Sequence, residues 1–220
     1  MRSLFLYITF KVFWRFFFSV IIGVRFIGAR RLFGHPQFVL ASNHNSHADA
    51  VTLMTAIPNN QLSKTRPIAA ADYFGRNKFV SFISWFFLNL ALIPRKKAET
   101  PSDSDPIQIM DNLLKKGQSI ILFPEGSRGE AGKLQPFKKG VGYLMENNRS
   151  IPVIPVYMEG IGRVLPKGNK IILPSLTKVY IGEALYFKEE EEAEEEITKI
   201  IEQKILDLKE KSAKYKQNFN

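Results

Sequence analysis

A histidine and a carboxylate five positions apart, His44 and Asp49, lie in the segment Ser42-Asn43-His44-Asn45-Ser46-His47-Ala48-Asp49. A regular helix would turn them about 140° away from each other, so they meet only if His44 stays in a loop and Asp49 begins the helix that follows. The loop-forming residues Asn43, Asn45 and Ser46 permit that arrangement. A carboxylate that accepts from one imidazole nitrogen fixes the tautomer and leaves the other nitrogen as a general base. Two other uses fit the same residue types. His44, His47 and Asp49, with His35 the only further histidine, could ligate a metal, and a loop rich in Asn and Ser could simply cap a helix.

A second chemical segment is Phe123-Pro124-Glu125-Gly126-Ser127-Arg128-Gly129. Its two glycines allow close backbone approach, and Arg128 offers a planar fork of donors suited to phosphate. The proline and glycines alone would also fit an ordinary turn. Ser127 lacks the G-x-S-x-G surroundings of a nucleophile elbow. Further cations follow in Pro136-Phe137-Lys138-Lys139-Gly140. The chain has no cysteine, which removes thiolate nucleophiles, thiolate metal sites and disulfides from consideration.

Both segments come directly after short apolar runs. Residues 36–42, 118–124, 151–158 and 178–185 read as strands bounded by Gly, Pro, Asn or Ser, and residues 50–56, 107–116 and 140–147 read as helices between them. The alternation predicts an α/β domain with a mainly parallel sheet flanked by helices, in which loops after strand ends carry the site. Ile197, Ile201, Ile205 and Leu208 recur at helical spacing behind an acidic run, predicting a docked C-terminal helix.

The start of the chain differs. Residues 4–28 are apolar and heavily aromatic, with Lys11, Arg15 and Arg25 falling on one narrow stripe of a helical wheel. These cations interrupt any signal-peptide core. An interfacial helix that rests its cations among lipid head groups is the reading preferred over an ordinary core helix. The uncharged run Phe79–Pro94 would rise only about 24 Å as a helix, short of a bilayer core of about 30 Å. It is expected to be a buried helix that runs into a strand at residues 89–93, with partial membrane insertion as the alternative. Lys and Arg number 31 against 21 Asp and Glu, a net charge of +10 that points to a phosphate-bearing partner. The first carboxylate is Asp49, so the basic excess lies early. The organisation expected is a membrane-associating segment over 1–30, an α/β domain over 31–187 and a charged helix over 188–220.

Taken together, Asn43, His44 and Asp49 (NHxxxxD), then FPEGSR at 123–128, then IPVIPV at 151–156, resemble the glycerolipid acyltransferases, specifically the 1-acylglycerol-3-phosphate acyltransferases. The resemblance spans most of the chain, from about residue 30 to 185. It implies that His44 is the general base, that Asp49 is its partner, and that Glu125, Gly126, Ser127 and Arg128 recognise the acceptor's glycerol phosphate. A further family motif, glycine followed six residues later by arginine, falls on Asn89 and Arg95. The glycine is replaced by asparagine, a residue that tolerates positive φ, and Arg95 is a weaker match to the phosphate for it. Lys138 is expected to assist.

The reaction so implied moves a fatty acyl group from an acyl-carrier protein or coenzyme A thioester to a lysophospholipid, most simply 1-acylglycerol-3-phosphate, giving phosphatidic acid. No cofactor and no metal is expected, the thioester being a co-substrate, and transfer is expected to be direct. The partners are then membrane lipid and an anionic membrane surface, not nucleic acid, with the enzyme monotopic on the cytoplasmic face. A different lysolipid acceptor, hydrolysis of lipid by the same dyad, a metal-dependent hydrolase and a non-catalytic binding module are the alternatives.

Overall fold

A computed structural model describes residues 1–71, 82, 85–94, 105–130, 132–164, 176–188 and 193–217. An N-terminal helix α1 spans Arg2–Ile22 and widens into π-helical turns over Ile8–Trp14 and Phe17–Ile22. Strand β1 (Arg25–Ile27) and a 3₁₀ turn (Ala29–Leu32) lead to β2 (Val39–Ser42), α2 (Asp49–Ala56), β3 (Thr65–Ala70) and β4 (Ala91–Ile93). Then come α3 (Pro106–Lys115), β5 (Ser119–Leu122), α4 (Gly140–Glu146), β6 (Val153–Glu159), the single turn α5 (Ile161–Val164), β7 (Lys178–Ile181) and α6 (Glu194–Gln217).

Among the described residues the strands form one sheet in the order β1-β7-β6-β2-β5-β3-β4. Strands β6, β2, β5, β3 and β4 run parallel, while β7 lies antiparallel to β6 and parallel to β1. The central strands are apolar on both sides because both faces of the sheet are covered. Leu40, Ile121 and Ile154 turn to one face, where they join Leu53, Met54 and Ile57 around α2 and Leu6, Phe10, Phe18 and Ile22 of α1. Their neighbours Val39, Ile120 and Val153 turn to the other, against Met110 and Leu114 of α3, Leu144 of α4, and Ile197, Ile201 and Ile205 of α6. The C-terminal helix thus docks by the stripe its spacing predicts.

Three expectations need correction. The first helix does not run to residue 28: Gly23, at φ 81°, caps it in the left-handed conformation, and Arg25 begins β1 instead of extending a helical stripe. Nor do Lys11 and Arg15 simply face outward, although Arg15 remains exposed. Both donate to main-chain carbonyls of the α2 end, whereas Leu4, Ile8, Val12, Phe13, Phe16, Val20 and Ile21 are each at least half exposed. The run over 79–94 is not a buried helix where described: residues 85–88 are helical, but Phe82, Trp85 and Phe87 are exposed. Residues 79–81 and 83–84 lie outside the described residues. Strand β3 was not anticipated, because Arg66 and Pro67 read against a buried strand. It is tolerated beside β5 at its start, with the Arg66 guanidinium donating to the Leu90 carbonyl.

Candidate active site

Strands β2 and β5 are neighbours, so the loops that leave their C-terminal ends meet. In the β2 loop, Asp49 is the first residue of α2 and fully buried. Its Oδ2 accepts from His44 Nδ1 at 2.8 Å and from the backbone N–H groups of Asn45 (2.7 Å) and Ser46 (2.9 Å). Three donors on one oxygen hold an ionised carboxylate in place, and an ionised carboxylate only accepts, so the His44 proton sits on Nδ1. Nε2 is left as the basic nitrogen. Asn43 anchors the start of the loop to β6, donating to the Met158 carbonyl (3.0 Å) and accepting from the Met158 N–H (2.7 Å).

The β5 loop closes over the dyad. The Phe123 ring stacks on the His44 ring at 4.1 Å with 17° between planes, and the Gly129 N–H donates to the His44 carbonyl at 2.9 Å. Glu125 is 2% exposed and accepts from the His44 N–H (2.7 Å) through Oε1 and from the Gln135 N–H (3.0 Å) through Oε2. Burial raises its pKa, outweighing these two donors, which favour the charged form. Glu125 therefore braces the loop that carries His44 and does not line the adjoining cavity. Gly126 adopts φ 73°, and a Cβ there would stand 2.6 Å from Lys138 Nζ, so the glycine leaves room for the lysine side chain to lie across the turn.

The cavity measures about 410 Å³. One end is polar, formed by His44, His47, Ser127, Arg128 and Lys138; the rest is walled by apolar residues that include Ile68, Leu90, Ile93, Met110 and Leu122. At the polar end the Arg128 guanidinium lies against the His47 ring. Burial, and then the positive charge of Arg128, lower the His47 pKa, which favours its neutral form. His47 and Asp49 do not combine with His44 as a metal cage: among the described residues no three such side chains gather to hold an ion.

Of the residues singled out in the sequence, His44, Asp49, Glu125, Gly126, Ser127, Arg128 and Lys138 come together here. Arg95 lies outside the described residues. Asn89, which stands in place of the motif glycine, has φ 56° and sends its amide to the carbonyls of Leu62, Ser63 and Thr65. The contributions of Phe123, Gln135 and the His47–Arg128 pair were not foreseen; Phe123 is part of the motif itself, but His47 and Arg128 are 81 positions apart and carry no local signal.

The sheet and the loops at its strand ends define an α/β protein with an oriented histidine at the mouth of an apolar cavity. The family model described as Acyltransferase matches residues 23–159, and the chain belongs to that family. A chloroplastic 1-acyl-sn-glycerol-3-phosphate acyltransferase of Brassica napus, BAT2, is 32% identical over 136 residues, covering 61% of this chain and 36% of that protein. The human 1-acyl-sn-glycerol-3-phosphate acyltransferase beta is 26% identical over 177 residues, covering 76% of this chain and 58% of the relative. The chain thus spans about a third of the plant relative's length and over half of the human one's. Its fold is that of the crystal structure of the 1-acyl-sn-glycerophosphate acyltransferase PlsC from Thermotoga maritima, with a TM-score of 0.76, 23% identity, and coverage of 96% of this chain and 81% of that one.

Proposed function

We propose that this protein transfers a fatty acyl group from the thioester of acyl-carrier protein or coenzyme A to the free hydroxyl of 1-acylglycerol-3-phosphate, yielding phosphatidic acid. One observation carries the reading: a histidine bonded through Nδ1 to a buried aspartate opens onto the same cavity as Arg128 and Lys138, and that cavity continues between apolar walls. An acceptor phosphate at the polar end and a donor acyl chain along the apolar walls match the two halves of such a space. The names of the relatives support the same substrate class.

In the reaction, His44 Nε2 takes the proton of the acceptor hydroxyl as its oxygen attacks the thioester carbonyl. Asp49 stabilises the imidazolium that forms. The tetrahedral intermediate then expels the thiolate, which recovers the proton from His44. Arg128, held against His47, binds the acceptor phosphate with Lys138 beside it, and so keeps the hydroxyl within reach of the base. Ser127 and Gly126 shape this end of the site, while Glu125 acts through the loop.

The protein works from a membrane surface. Residues 2–22 are long and apolar enough to cross a bilayer. Crossing would, however, strip Leu6, Phe10, Phe18 and Ile22 from the core they share with α2. The exposed aromatic and aliphatic side of α1 instead enters the acyl boundary while its inner side stays docked.

The test is purified protein with a panel of lysophospholipids and both donor classes, with products read by mass. Acylation of 1-acylglycerol-3-phosphate is the expected result. Transfer only to another lysolipid would replace the acceptor, and release of free fatty acid without any acceptor would make the protein a hydrolase.

A further inference from the structure

Helix α2 carries Asp49 at its first residue and ends beneath α1. At that end the last carbonyls of a helix have no partner within the helix, and the helix dipole leaves them negative. Lys11 Nζ donates to the Thr55 carbonyl at 2.8 Å and also to the Ile57 carbonyl, and Arg15 Nη1 donates to the Thr55 carbonyl at 3.1 Å. Lys11 lies in the widened part of α1, a backbone form that is rare and concentrates at functional sites, and Arg15 follows directly after it. Asp49 and Thr55 are less than two helical turns apart, so a clamp on one end fixes the axial position of the other.

We propose that Lys11 and Arg15 are positioning residues for the dyad: by clamping the C-terminal end of α2 they set where Asp49 stands, and through Asp49 the orientation of His44. The membrane helix is then part of the catalytic framework as well as an anchor. This rests on the dyad reading given above.

The contact is not one that stability alone would retain. Burial, aided by Arg15 on the same helix, brings the Lys11 pKa down to about 8, so its ammonium is less well accommodated in the fold than in water. The α2 end offers it carbonyls and no carboxylate. A half-buried charge of this kind is weak evidence for stability and fits a positioning role.

The experiment uses the full chain in detergent micelles, where membrane attachment no longer limits activity, with 1-acylglycerol-3-phosphate and an acyl thioester. Lys11→Met keeps the aliphatic stem and removes the donor; Lys11→Arg keeps donor and charge. Misplacing a catalytic group by a fraction of an ångström to an ångström should lower kcat by about ten- to a hundredfold in Lys11→Met, with the acceptor KM within about twofold of wild type. Thermal stability should hardly change. Lys11→Arg should recover most of kcat, and Arg15→Gln, an exposed position, should show a smaller loss of the same kind. The downfield resonance of the His44 Nδ1 proton should shift or broaden in Lys11→Met and return in Lys11→Arg; this readout needs no substrate. An unchanged kcat and resonance in Lys11→Met would overturn the proposal, as would equal loss in the Met and Arg variants in proportion to lost folded protein. If Lys11→Met fails to fold, Arg15→Gln decides by the same two readouts. Wild-type protein inactive on every acceptor would instead defeat the proposed function, leaving the resonance comparison to judge the clamp.

Discussion

At the scale of single residues, the site separates groups that face the cavity from groups that hold them. His44 faces it and Asp49 does not: the carboxylate is fully buried, with its Oδ2 held by the imidazole and two backbone donors. His44→Ala should lower turnover by about two to four orders of magnitude, the range for a positioned general base. His47→Ala should cost far less and act on the acceptor KM, because His47 reaches the substrate through Arg128. Steady-state kinetics with varied acceptor checks both. Glu125 gives a different test. Its carboxyl pKa is raised by burial, so it stabilises the fold at low pH, and that contribution is lost as pH rises through the folded value. Glu125→Gln, always neutral, lacks this titration, so its melting temperature relative to wild type should be highest near neutral pH and should fall as the solution is acidified. Its amide –NH₂ must nonetheless face one of two backbone donors. The N–H left unpaired costs about 1–3 kcal/mol, and a matching fall in kcat of about tenfold or more is expected. Melting curves across pH, read beside kcat, check the pair of claims.

At the scale of elements, α1 reverses the ordinary amphipathic arrangement. Lys11 and Arg15 bond to the α2 end while Leu4, Ile8, Val12, Phe13, Phe16, Val20 and Ile21 stay exposed beside the docked Leu6, Phe10, Phe18 and Ile22, so a membrane binds α1 by burial more than by charge. Each large apolar side chain taken into the acyl region contributes about 1.5–3 kcal/mol, against about 1 kcal/mol for each cation near an anionic surface. Phe16→Glu, at a position 59% exposed, should leave the fold intact and weaken vesicle binding strongly, even at low salt. High salt should release little of the wild type, whereas detergent should release it. Co-flotation with phosphatidylcholine and phosphatidylglycerol vesicles measures both; release of wild type by salt alone would mean that charge dominates. Removing residues 2–28 would delete β1 and uncover Leu53, Met54 and Ile57, so the truncated chain should aggregate.

At the scale of the whole molecule, the cavity exists because elements distant in sequence share one end of the sheet. Its apolar wall takes Ile68 from β3, Ile93 from β4, Met110 from α3 and Leu122 from β5, while its polar end comes from the loops after β2 and β5. A chain bound along that wall is limited by whichever side chain closes it. Met110→Trp narrows the space, so the preferred donor should shift to shorter acyl chains while the acceptor KM stays near wild type. Competition among thioesters of graded length, scored by product mass, checks this, and an unaltered preference would put the acyl chain elsewhere.

What the sequence by itself determined was local. The apolar runs over 36–42, 118–124 and 151–158, bounded by turn residues and alternating with helical segments, read as buried strands of a mainly parallel sheet, which put His44 and Arg128 in loops at strand ends. The five-residue spacing of His44 and Asp49 already required a loop followed by a helix start, and Asn89 could take the positive φ its position needs. Strand β3 escaped because Arg66 and Pro67 are tolerated only through neighbours far along the chain. The direction of the α1 cations was likewise a tertiary decision. A helical wheel groups Lys11 with Arg15 but does not say which side meets protein, and only the unpaired carbonyls at Thr55 and Ile57 settle it. Periodicity sets which residues share a face; burial of polar groups, which must find partners wherever the fold offers them, sets what that face touches.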